Sequence, residues 1–150
     1  MGTGAAVTTL TPITKAKMDL KLESVAVADV DSNSELRKGI LSVGPIKQVD
    51  ALEFPIYFNK KVTINKIRSV LTTVITTANS VITAKNNAGT AMTDGVLTIA
   101  ESGCAVGDED SCSPSANNVI DTDEKMILSH NGGPDAGEAI FFIEYTLTNP

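Results

Sequence analysis

Any chemistry in this chain has to be built from one histidine, His130, two cysteines, Cys104 and Cys112, and two short carboxylate runs, Asp108 to Asp110 and Asp121, Asp123 and Glu124. Nucleophilic, redox and metal-hydrolytic sites are assembled mostly from His and Cys, so this inventory is thin. Cys104 and Cys112 are eight residues apart, and a loop of that size can close a disulfide, so the pair reads either as a staple or as two free thiols. Two cysteines without further Cys or His partners make a poor zinc site, and they are too far apart for a CxxC redox motif. The carboxylate runs have the oxygen density that hard cations need, but EF-hand spacing is absent. They read as solvated turns, or as a cation site should the two runs face each other.

A glycosidase-type carboxylate pair needs aromatic sugar platforms, and the chain has no Trp. His130 sits beside Asn131 and Gly132, which reads as an exposed turn, and no Ser or Cys lies in a nucleophile-elbow context. No catalytic residue, no cofactor and no metal is assigned, and the expectation is a protein without enzymatic activity. Lys60, Lys61, Lys66 and Arg68 gather basic charge in one segment, which reads as protection of an edge strand or as a contact for an acidic partner.

The elements that position these residues are strands. Val, Ile and Thr make up 43 of the 150 residues, and β-branched side chains suit a pleated sheet better than a helix. Period-two alternation recurs along the chain, and no 3.6-residue periodicity is sustained. Strand patterns lie over Met18 to Val30, Leu36 to Ile46, Phe54 to Phe58, Lys61 to Val74, Asn79 to Lys85, Met92 to Ala100, Val119 to Leu128 and Glu138 to Thr148. A change of phase between Ile64 and Ile67 predicts a bulge, and Pro45 confines its strand to an edge or turn. Asn86 to Gly89 predicts a hairpin turn, Asn131 to Pro134 another turn, and residues 101–118 read as a loop without periodicity.

About eight strands with turns at intervals of roughly ten residues and no crossover helix predict an all-β fold. The expected form is an antiparallel β-sandwich of jelly-roll or Greek-key type. Residues 1–16 read as an extended N-terminal arm and residues 17–150 as one sandwich domain. All six aromatics fall in Phe54 to Phe58 or Phe141 to Tyr145, so those two strands should meet in the core or at a subunit contact. Phe141 and Phe142 point to opposite faces, so one ring must meet either a partner subunit or a covering loop.

A formal net charge of −6 and a pI near 4.7 argue against nucleic acid and anionic membranes as partners. No apolar stretch is long enough to span a bilayer, and the first basic residue is Lys15, so no targeting signal is visible. Synthesis in a cytoplasm is the expectation.

Five features then occur in series: Ile67 to Val70, the hairpin Val81 to Gly89 with its return Gly95 to Ile99, the Gly107 to Ser111 loop, the Ser113 to Asn118 loop, and a final apolar strand. On these features the segment from Ile64 to Thr148 resembles the head decoration, or cement, proteins of tailed bacteriophages. The two cysteines around the Gly-Asp loop depart from that pattern. The resemblance implies a jelly-roll-like virion protein, made in the bacterial cytoplasm, that binds the major capsid protein on the outer surface of an icosahedral shell. It also implies self-association as a homotrimer or dimer. On that reading Thr3, Val7, Leu10 and Ile13 of the arm contact the capsid, and Phe141, Phe142 and Tyr145 form the oligomer interface. The competing class is a carbohydrate- or receptor-binding sandwich of fibre or adhesin type, for which Tyr57 and Tyr145 are the only polar-tipped rings.

Overall fold

The computed structural model describes residues 37–49 and 51–148. The arm and its residues Thr3, Val7, Leu10 and Ile13, and the Met18 to Val30 strand pattern, lie outside the described residues. Nine strands follow one another: β1 (Lys38–Lys47), β2 (Ala51–Tyr57), β3 (Val62–Thr76), β4 (Ser80–Lys85), β5 (Ala91–Ile99), β6 (Glu109–Cys112), β7 (Val119–Ile120), β8 (Lys125–Asn131) and β9 (Ala136–Leu147). Among the described residues no helix is long and apolar enough to cross a membrane.

The strands form two antiparallel sheets. One runs β1-β9-β3-β6, with β7 also paired to β3, and the other runs β2-β8-β4-β5. The pairs β1·β9, β2·β8, β3·β6/β7 and β4·β5 nest inside one another, as in a long hairpin folded over itself. The pairings β3·β9 and β4·β8 then close the two sheets. This is jelly-roll winding, with β6 and β7 sharing the place of a single edge strand.

The phase change expected in β3 is present, as a register shift between Ile64 and Lys66 in the pairing with β9. It keeps Val62, Ile64, Ile67 and Leu71 on the inner face despite the odd spacing. The Asn86 turn closes with Gly89 N–H donating to Asn86 O at 2.9 Å, and the Asn86 side chain caps it by accepting from Ala88 and Thr90 N–H. Both strand prolines, Pro45 and Pro55, lie in edge strands, where their missing N–H costs no ladder bond.

Two expectations are corrected. The 101–118 region contains a strand, β6, whose sequence Glu-Asp-Ser-Cys has little sheet propensity. It is held by pairing with Ile67 to Val70 of β3 rather than by its own preference. The basic segment does not guard an edge, because β3 is flanked by β9 on one side and by β6 and β7 on the other. Between β6 and β7 Asn118 spans the gap: its side-chain amide donates to Ile64 O at 2.8 Å, and its backbone carbonyl accepts from Ile64 N–H at 2.9 Å.

One core lies between the sheets. Ile64, Ile67, Leu71, Ile75, Phe141 and Ile143 project from one side to meet Ile56, Ile82, Leu97, Ile99, Met126 and Leu128 from the other. The two aromatic strands meet as expected: the rings of Phe58 and Tyr145 stand edge to face at 5.6 Å.

Where β9 begins, Gly137 has φ +128, and a side chain there would overlap Ile75 and come within 3.0 Å of its Cα. Gly89 has φ +79 but faces open space. Gly89→Ala should therefore cost only the left-handed backbone penalty, about 1 kcal/mol, and Gly137→Ala at least about 2 kcal/mol because overpacking is added. Urea unfolding of the two variants measures the difference.

Candidate functional site

The His130 ring is 6 % exposed, within β8, and is not the exposed turn residue its neighbours suggest. Its Nε2 lies 2.8 Å from Ser80 Oγ, and Ser80 Oγ donates to Gln48 Oε1 at 2.7 Å. Gln48 Nε2 in turn donates to Ile46 O at 2.8 Å. Because Gly132 N–H donates to His130 Nδ1 at 3.2 Å, the network assigns the proton to Nε2, which then donates to Ser80. In a nucleophilic pair the imidazole would have to accept from the serine. The polarity here is the reverse, and Ser80 has no exposed surface. The arrangement ties β8 and β4 to the segment after β1.

Two buried serines therefore predict opposite outcomes. Ser80→Ala removes the buried hydroxyl that His130 Nε2 and Gln48 Oε1 share and should cost about 1 to 3 kcal/mol. Ser69 Oγ, on the inner face of β3, has no hydrogen-bond partner among the described residues, so Ser69→Ala should be neutral or stabilising by about 1 kcal/mol. Chemical denaturation reads both signs.

Cys104 and Cys112 are free thiols. Cys112 lies opposite Ile67 on β3, while Cys104 Sγ–H donates to Ile75 O at 3.5 Å, eight residues further along the same strand. That offset is about 25 Å of extended chain, against the roughly 4.4 to 6.8 Å between Cα atoms that a disulfide spans. The sequence separation suggested a closable loop, and β6 pulls its two ends apart.

Burial pushes the Cys112 thiol up to about 11. The folded chain then holds a proton that the unfolded chain releases above about pH 8.5, so this group's contribution to stability falls as pH rises from there toward 11. Wild type should lose more stability than Cys112→Ala between about pH 8 and pH 10, whatever their difference at neutrality. The thiol titre should be two per unfolded chain, with Cys112 reacting far more slowly than Cys104 in the folded one.

The two carboxylate runs do not face each other. Glu109 lies opposite Val70, and the second run follows β7, which lies opposite Val62 and Thr63. Asp108 accepts from Ala105 N–H at 2.7 Å, and burial, then the neighbouring Asp108 charge, raises the pKa of Asp110. Asp121 pairs with Lys61 at 2.8 Å, and Glu124 accepts from the Asn87 amide at 3.1 Å. Among the described residues no group of three His, Cys, Asp or Glu stands close enough to hold a metal ion.

Two surfaces remain. The first is the outer face of the β1-β9-β3-β6 sheet. Arg68 lies across the Phe142 ring, 5.4 Å from its centroid, and pairs with Glu144 at 3.1 Å and Glu109 at 3.4 Å. Cross-strand neighbours extend this patch to Ile140 and Val70 on one side and, opposite Glu144, to Ile40, which is 63 % exposed. Of the three aromatics assigned to a subunit contact, Phe142 alone belongs to this face. Phe141 is 1 % exposed inside the sandwich and is corrected to a core residue, because alternate residues of β9 point inward. Tyr145 is half-buried at the end of the strand.

The second surface is a cleft of about 490 Å³ lined by Leu41, Tyr57, Phe58, Asn59, Asp123 and Tyr145. It forms where the β2–β3 connection meets the turn after β7. Asp123 N–H donates to Phe58 O at 2.8 Å and Phe58 N–H to Glu124 O at 2.9 Å, which locks the two loops together. Gly39 lets the Tyr145 ring lie against β1, since a side chain there would overlap that ring. The sequence singled out both tyrosines, but only the winding of the sheets brings them into one cleft.

Compared with known proteins, the chain matches no family model, no curated protein and no solved structure.

Proposed function

We propose that this chain is a structural virion protein that binds the outer surface of an icosahedral phage capsid and ties neighbouring capsomers together. The observation that carries the reading is the outer face of the β1-β9-β3-β6 sheet. It combines an aromatic ring under an arginine with the exposed Ile40 and the half-buried Val70 and Ile140, and aromatic rings and arginine are enriched at protein interfaces. Four of the five features on which the chain resembles decoration proteins lie at this sheet, namely β3, the Gly107 to Ser111 segment that runs into β6, the loop ending at the Asn118 bridge, and β9, while the Val81 to Ile99 hairpin belongs to the other sheet.

The mechanism requires no bond chemistry. A protein that binds the mature lattice better than the immature one stabilises it by mass action. Self-association, as a homotrimer, multiplies weak contacts through effective concentration. An acidic chain suits the side of the shell away from packaged DNA. The partners on this reading are the major capsid protein and further copies of the chain, with Phe142 at the contact.

Gradient-purified particles of the encoding virus should contain this chain in a simple ratio to the major shell protein, measured by quantitative mass spectrometry. Absence from particles would sink the proposal, and a few tens of copies would move the chain to a vertex, fibre or tail. Phe142→Glu should fold normally and fail to sediment with shells, and removal of residues 1–14 should abolish shell binding while leaving the sandwich folded; retained binding by the truncated chain would rule out the arm as a capsid contact.

A further inference from the structure

We infer that the cleft between the β2–β3 connection and the turn after β7 is a binding site for a neutral pyranose sugar. A pyranose offers an apolar C–H face and a rim of hydroxyls that donate and accept hydrogen bonds. A matching site needs an accessible aromatic ring with unengaged polar groups beside it. Tyr57 is 69 % exposed, the most exposed large hydrophobic side chain among the described residues, and it opens onto the cleft. Tyr145 forms a second wall, held by its edge-to-face contact with Phe58 and by the missing side chain at Gly39.

Four polar ends surround this apolar floor: the two tyrosine hydroxyls, the Asn59 amide and the Asp123 carboxylate. None makes a side-chain hydrogen bond or ion pair with another described residue. The other acidic groups nearby are engaged, Asp121 by Lys61 and Glu124 by Asn87, so Asp123 is the carboxylate left for a ligand. The backbone bonds joining Phe58 to Asp123 and Glu124 fix the two loops in advance, which lowers the ordering cost of binding. The cleft is open to solvent, which suits one sugar ring lying against a tyrosine face rather than an enclosed ligand. This inference is independent of the capsid reading, since the cleft lies at the end of the sandwich and does not use Phe142 or Arg68.

The test is saturation-transfer NMR of the full chain with methyl pyranosides of glucose, galactose, mannose and N-acetylglucosamine at millimolar concentration. At least one should receive transfer, and Tyr57→Ala and Asp123→Asn, the latter chosen because Asn tolerates the left-handed backbone at that position (φ 61), should each weaken its binding by about tenfold or more. Both side chains are exposed, so the melting temperature should stay at the wild-type value and confirm that the fold is intact. No transfer to any pyranoside, or undiminished transfer in Tyr57→Ala, would overturn the inference. So would preferential binding of tetramethylammonium, which would reassign the rings and Asp123 to an organic cation.

Discussion

The structure depends on one strand being paired along both edges. β9 bonds to β1 from Lys38 opposite Thr146 to Lys47 opposite Glu138, and to β3 from Val62 opposite Leu147 to Thr76 opposite Ala136. Its inner face delivers Ala139, Phe141 and Ile143 to the core, its outer face carries Phe142 and Glu144, and its far end places Tyr145. A slip of one residue would exchange these sets, putting Glu144 where Ile143 is buried. The register shifts between β9 and β3, and Gly137 against Ile75, keep the inner set aligned over twelve residues.

Edges and faces are treated differently. The edge strands β1 and β2 each carry a proline, the β6/β7 edge is short and interrupted, and the β5 edge is occupied at one point by the Thr93–Ala116 bridge. The face over Phe142 is left broad and mixed in character.

Most of the architecture was legible because it rests on local signals. Alternation marked β3 and β4, an unbroken apolar run from Ala139 to Ile143 marked β9, the Asn86 and Asn131 turns separated the strands, and the odd step between Ile64 and Ile67 gave the bulge. What could not be read depends on residues distant in sequence. β6 is a strand only because Arg68 and its neighbours on β3 offer a ladder, and its own residues look like loop. His130 resembled a turn residue because the groups that bury and satisfy it, Ser80 and Gln48, lie fifty and more residues away. The cysteine spacing looked closable for the same reason, since only the pairing of β6 reveals that its ends diverge. Tyr57 and Tyr145 stood out by type, but their meeting with Asn59 and Asp123 is a product of the winding.

The central place of β9 also sets the timing of maturation. It is the last of the nine strands to leave the ribosome, yet it belongs between two that emerge much earlier. Until translation passes it, β1 and β3 have no common partner, and the apolar stripe of β3 is exposed to chaperones or to other nascent chains. Incomplete polypeptides lack both the Phe142 face and the Tyr145 wall. Translation must therefore pass β9 before either surface exists.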